Sequence, residues 1–192
     1  MGSSTPAPGD SSTASSGTDG ASTTAALAPD AVLAGDPGAL YQYLGDKAVV
    51  AAAGALLDGG SASDDLPFAA AWVWANGADD SSRLVPLLGD KDPSIAMTAA
   101  IGLVAQGRIE GFPPLIAALT VDTQLSRIGM AEPAWTTATV ALVEYTAISD
   151  FGPPFDSLAS QRLLAQQSWQ AWFDAKKATL KFDPATALWS AS

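Results

Sequence analysis

The 192-residue chain has no cysteine and no histidine, and its 9 lysines and arginines face 20 aspartates and glutamates. Each shortage removes a class of chemistry. Without histidine or cysteine there is no Ser-His-Asp triad, no thiol nucleophile, no His or Cys zinc ligand, no haem histidine and no iron–sulfur cluster. Disulfides are excluded, which leaves the redox compartment open. A formal charge of −11 at pH 7 repels phosphate backbones, so nucleic acid is not expected as a partner. The longest apolar runs, 48–57 and 66–75, are ten residues each. That is about half of what a membrane-spanning helix needs, and no transmembrane segment is expected. The signatures G-x-G-x-x-G, G-x-x-x-x-G-K-[ST], G-x-S-x-G and S-x-x-K do not occur. Strand alternation is almost missing, and its best fragment, 136–140, fits a helix better.

Serine, threonine, glycine, alanine and proline make up most of the first 24 residues, with two aspartates and no aromatic or large aliphatic side chain after Met1. Such a stretch cannot bury enough surface to offset its ordering entropy, so residues 1–30 read as a disordered tether before a domain at 31–192. The Met-Gly-Ser-Ser start lacks the basic and apolar regions of a secretory signal. The same composition is common after the lipidated cysteine of exported bacterial lipoproteins. A lipid anchor and an exported location follow if such a cysteine stood upstream, and export is slightly favoured over the cytoplasm.

What fills the rest is short Ala- and Leu-rich helical phrases with a period. Leu57, Leu88 and Leu119 stand 31 residues apart, closing AAAGALL, SRLVPLL and PLIAAL. A period of that size signals stacked helical hairpins. Asp36-Pro37, Asp65-Leu66-Pro67, Asp92-Pro93 and Glu132-Pro133 run in phase with it. An acid accepts orphan N–H groups at a helix start, and proline in the first turn gives up an N–H that had no partner. Gly45, Gly77 and Gly107 mark the stops, where a left-handed residue ends a helix. The reading is a helix at 37–44, then pairs at 47–57 with 66–76, 82–88 with 93–106, and 112–119 with 133–148. Met97, Ala100, Ile101 and Val104 form one apolar stripe, and Val140, Val143 and Ala147 another, widened by Ala138 and Leu142. A last amphipathic helix at 157–177 offers Leu158, Leu164, Trp169, Trp172 and Phe173 as a cap over the open end.

The phrase LVPLLGDKDPSIAMTAAIGLVAQG (84–107) resembles the HEAT repeat: a Leu-rich first helix, an Asp-Pro turn and an Ala-rich second helix. IEGFPPLIAALT (109–120) resembles the start of the next repeat, and ALVEYTAISDFGPPFD followed by SWQAWF resembles the close of bacterial HEAT-type domains. HEAT repeats usually carry Arg or Lys shortly after the Asp-Pro turn, where this chain has Ser94 and Ile95. The fold class expected is all-α: a short right-handed α-solenoid of three to four HEAT-like hairpins with a C-terminal capping helix. The resemblance implies a non-catalytic protein-binding or scaffolding module, with no cofactor and no metal.

Acidic residues gather in the turns: Asp58, Asp64 and Asp65; Asp79 and Asp80; Asp90 and Asp92. Helix capping and solubility account for them first, and attraction of a basic protein partner second. DGGSASDD lacks the alternating acids of a calcium loop. Six tryptophans are present. Trp72 and Trp74 point about 200° apart on a helix, so one of them is expected at the surface or against the groove of the neighbouring repeat. Partner-binding candidates are therefore Trp74, Asp79, Asp80, Asp90 and Trp135, on the face made by the second helices. The longer turn at 120–132 reads as solvated filler or as part of a binding face. The competing reading is a carboxylate-dependent hydrolase using Glu110, Glu132 or Glu144, or a small-ligand-binding helical domain.

Overall fold

A computed structural model describes Met1 and residues 29–33, 43–59, 66–125, 132–154 and 156–191. Residues 2–28 of the expected tether, Asp36-Pro37, most of the expected helix at 37–44, and Asp64 and Asp65 lie outside the described residues; the last two residues of the expected tether are helical. Those described are mostly helical: α1 (Pro29–Leu33), α2 (Lys47–Gly59), α3 (Leu66–Gly77), α4 (Pro93–Ala105), α5 (Phe112–Ala118), α6 (Ala134–Thr146) and α7 (Ala159–Lys176). Short 3₁₀ turns sit at Ser82–Leu84, Pro86–Gly89 and Ile109–Gly111. There are two small antiparallel strand pairs, β1 (Gln124–Leu125) with β2 (Glu132–Pro133), and β3 (Leu180–Asp183) with β4 (Leu188–Ala191). Leu125 stands opposite Glu132, and Phe182 opposite Trp189. None of the described helices is long and apolar enough to cross a membrane.

Local chemistry sets the starts and stops. Asp46 Oδ1 accepts from the N–H groups of Ala48 (2.8 Å) and Val49 (3.3 Å), which caps α2. Asp92 Oδ1 accepts from Ser94 N at 2.8 Å with Pro93 in the first turn, the arrangement expected for α4. Gly45 (φ +90°) and Gly107 (φ +75°) take the left-handed conformation foreseen for helix stops. Gly77 does not. It closes α3 beside Val50, and α6 instead ends on the left-handed Ala147 (φ +57°).

Other expectations are corrected. The phrase at 82–88 is not an α-helix but two 3₁₀ turns, because Pro86 in its middle supplies no N–H and clashes with a preceding turn. Glu132 does not cap α6; it is paired in β2, and the helix begins without a side-chain cap. The stripe on α6 is rotated: Ala134, Trp135, Ala138, Ala141 and Leu142 are buried, whereas Val140 is 45% exposed. On α7, Trp169, Phe173 and Ala165 face the core, whereas Leu164 and, just before the helix, Leu158 face solvent. The chain continues past α7 into the β3–β4 hairpin, which the sequence reading missed. Trp189 of that hairpin is buried, donates through Nε1 to the Val104 carbonyl at 2.9 Å and meets Phe112 edge-on at 5.3 Å between centroids.

Among the described residues the core forms three clusters in chain order. Val32, Val49, Ala53, Phe68, Trp72 and Ile95 belong to the first; Trp74, Ala75, Leu84, Ala99 and Leu103 make the second. The third extends from Met97 through Phe112, Leu119 and Leu142 to Trp169 and Trp189. Leu57 packs against the first and second, Leu88 against the second and third, and Leu119 lies inside the third. Helix α3 lies against α2 and α4, α4 against α5 and α6, and α5 against α6 and α7. Both α3 and α4 are buried nearly all round, which suits helices with neighbours on two sides. Their crossing is close: a Cβ on Gly102 would stand 2.5 Å from Ala75 Cβ.

Candidate functional site

Trp72 and Trp74 are both buried, so of the two alternatives for α3 the exposed tryptophan is excluded. They do point apart, but α3 has packing on each side: Trp72 joins the first cluster and Trp74 the second. Trp74 Nε1 donates to the Asp80 carbonyl at 2.6 Å, and the Arg83 guanidinium lies 4.5 Å from its ring centroid. Arg83 in turn forks onto Asp58, with Nε to Oδ1 at 2.8 Å and Nη2 to Oδ2 at 2.7 Å. That hydrogen bond holds the Asp58 carboxyl below the ordinary carboxylate range.

Trp135 repeats the pattern. It is buried, Arg162 lies over it at 5.2 Å, and Arg162 Nη2 donates to Asp122 Oδ1 and Oδ2, each at 2.8 Å. Each indole is thus a platform for an arginine that an aspartate from another part of the chain fixes. The turn at 120–125 consequently has a structural use, with Leu125 fully buried beneath it.

The turn acids are also engaged locally. Asp80 accepts from Ser82 N at 2.8 Å and Ser82 Oγ at 2.7 Å; these bonds, then the charges of Arg83 and Arg108, lower its pKa. Asp90 Oδ1 accepts from Asp92 N at 2.8 Å, and Asp79 is exposed. No group of three or more metal-ligating side chains occurs among the described residues. Glu110 is ion-paired with Arg108 at 2.6 Å, which lowers its pKa. Glu132 and Glu144 are exposed on β2 and α6. The three glutamates stand on separate elements, and none of them lines the recesses described next.

An open groove of about 500 Å³ runs between α4 and α5. Pro93, Met97 and Ala100 form one wall, and Pro113, Ala117 and Val121 the other. Every lining residue is apolar. The groove exists because alanine and proline are too small to fill the space between the helices, and the prolines in the first turns bring no N–H to it. Carboxylates flank it in sequence: Asp90 and Asp92 before Pro93, Asp122 after Val121, and Glu132 before Ala134, with Lys91 among them. Sequence reasoning had named Asp90 but not the groove, since a gap between small side chains has no residue signature of its own.

A smaller recess of about 90 Å³ lies where α3, α4 and α6 meet. Trp72 and Asn76 come to it from α3, Thr98 and Ile101 from α4, and Tyr145 from α6. Thr98 is 3% exposed and its hydroxyl has no hydrogen-bond partner. Burial, and then the charge of Glu144, pushes the Tyr145 phenol above its usual range, so it keeps its proton at neutral pH. This is the face of the second helices that the sequence reading favoured, though with different residues. Compared with known proteins, the chain matches no protein-family model, no curated protein and no solved structure.

Proposed function

We propose that this chain is a non-catalytic protein-binding scaffold, a short HEAT-like α-solenoid whose α4–α5 groove receives an apolar segment of a basic partner. The observation that carries the reading is the groove itself: about 500 Å³ of open space without one polar lining residue. An open apolar recess on an acidic chain suits a segment that inserts aliphatic side chains and carries lysine or arginine beside them. The solenoid part is supported by the three core clusters following chain order, and by Leu57 and Leu88 recurring at the two successive cluster junctions, with Leu119 inside the third cluster. Further support comes from α3, α4 and α6, the second helices of the pairs, lying one against the next.

Selection of random peptides on the immobilised full chain tests the reading. Enriched sequences are expected to combine aliphatic residues with Lys or Arg and to bind more weakly as NaCl rises from 50 to 500 mM, because exposed charges are screened. Enrichment of acidic or charge-free peptides, or binding indifferent to salt, would overturn it.

A further inference from the structure

The exposed leucines among the described residues all fall within seven positions: Leu158, Leu163 and Leu164 are 70, 47 and 63% exposed. Single apolar side chains scattered over a surface need no explanation, but a group of them does. Helix α7 turns Ala165, Trp169 and Phe173 to the core. At about 100° per residue the side away from them carries Ser160, Leu163, Leu164, Gln167, Ser168 and Ala171, and all six are exposed. Between Ala159 and Phe173 the one charged residue is Arg162. It lies on the inner side, buried and bonded to Asp122. Helices α3 and α4 are uncharged too, but neighbours cover them; α7 keeps its uncharged side in solvent.

We infer that this side of α7 is where a second copy of the chain docks, as an antiparallel pair of α7 helices about a two-fold axis near Gln166 and Gln167. The inference is independent of the α4–α5 groove. Charge argues for that occupant. Two chains of −11 repel each other, and they meet at least cost where neither presents a carboxylate. A basic partner, by contrast, gains nothing from a surface without carboxylates. The ends of the helix are complementary: Asp156 precedes it, and at its close Lys176 and Lys177 outweigh Asp174. An axis at residue 166 sets position 156 of one copy against position 176 of the other, so opposite charges meet at both ends. A parallel pair would set like against like. Exposed ion pairs add little affinity, but they choose the orientation. The same register sets Leu164 of each copy over Ser168 and Ala171 of the other, small residues that admit a leucine and let the helices approach closely. Gln167, beside the axis, offers donor and acceptor to its own counterpart.

Sedimentation velocity of the full chain tests the pairing. One helix face is smaller than the roughly 800 Å² that each partner gives to a standard interface, so Kd is expected on the order of 10–100 µM, with the sedimentation coefficient rising from about 1 to 500 µM protein. Leu164→Glu leaves the core untouched and, by symmetry, puts two carboxylates into the seam; it is expected to weaken pairing at least about tenfold. Val140→Glu, the same change at an exposed residue of α6, should leave pairing as it is. Because the chain has no cysteine, single cysteines report the register. Under mild oxidation Gln167→Cys is expected to give a disulfide-linked dimer, whereas Ser160→Cys, about 18 Å from its counterpart along the antiparallel pair, is not. A monomer at every concentration, pairing unchanged in Leu164→Glu, equal losses in both glutamate variants, or Ser160→Cys linking as readily as Gln167→Cys would overturn the assignment.

Discussion

At the scale of single residues, the close approach of α3 and α4 depends on one missing side chain. A Cβ on Gly102 would stand 2.5 Å from Ala75 Cβ, 3.0 Å from the Ala75 backbone Cα and 2.9 Å from Leu84 Cδ1; Ala75 cannot yield without its backbone, and Leu84 is fully buried. Gly102→Ala is therefore expected to destabilise the fold by about 1–3 kcal/mol, overriding the gain in helix propensity. Urea unfolding measures this; an unchanged or higher midpoint would contradict the packing. Some residue-level facts were legible in the sequence. The Asp92-Pro93 helix start is as expected, because a cap is a local interaction. The rotation of the α6 stripe was not, because Thr136, Thr139 and Thr146 are buried while Val140 is exposed. Two of those threonines bond their own helix carbonyls, so their polarity does not keep them at the surface.

At the scale of elements, the helices could be read and the terminal hairpin could not. β3 and β4 have four residues each, and beside the cross-strand contact of Phe182 with Trp189 at 5.4 Å what fixes them is remote: the bond from Trp189 to the Val104 carbonyl, and the ring of Phe112 5.3 Å away. Trp189→Ala removes that anchor and is expected to cost about 3–5 kcal/mol. Trp189→Phe keeps the ring but not the indole N–H and should cost less. Equal stability of Trp189→Ala and the parent chain in thermal unfolding would show that the hairpin only rests on the helices. The candidate tryptophans failed as surface residues for a related reason. Trp74 and Trp135 both lie beneath arginines held by Asp58 and Asp122, and spacing along one helix does not reveal that partners cover both sides.

At the scale of the whole molecule, charge sets the response to pH. Asp58, Asp80, Glu110 and Asp174 all have lowered pKa values in the fold, chiefly through hydrogen bonds to the charged form. Their contribution is complete above the unfolded carboxylate range, about 4, and is lost as pH falls through the lower folded values. Tyr145 is shifted the other way, so stability declines again as pH rises above about 10, where the unfolded chain ionises first. With no histidine in the chain, unfolding free energy should stay nearly flat from about pH 5 to 8. Chemical denaturation across that range checks the point, and a transition near pH 6.5 would contradict it.

The claim on which the functional reading turns is that the α4–α5 groove is where a partner docks. The direct test is calorimetric titration of a selected peptide into the parent chain, Ala117→Glu and Val140→Glu. Ala117 lines the groove, and Val140 is an exposed residue of α6 outside its lining. The expected result is a loss of about tenfold or more in affinity for Ala117→Glu, with Val140→Glu unchanged; equal affinities for all three proteins would mean that the peptide binds elsewhere and that the groove is not the docking surface.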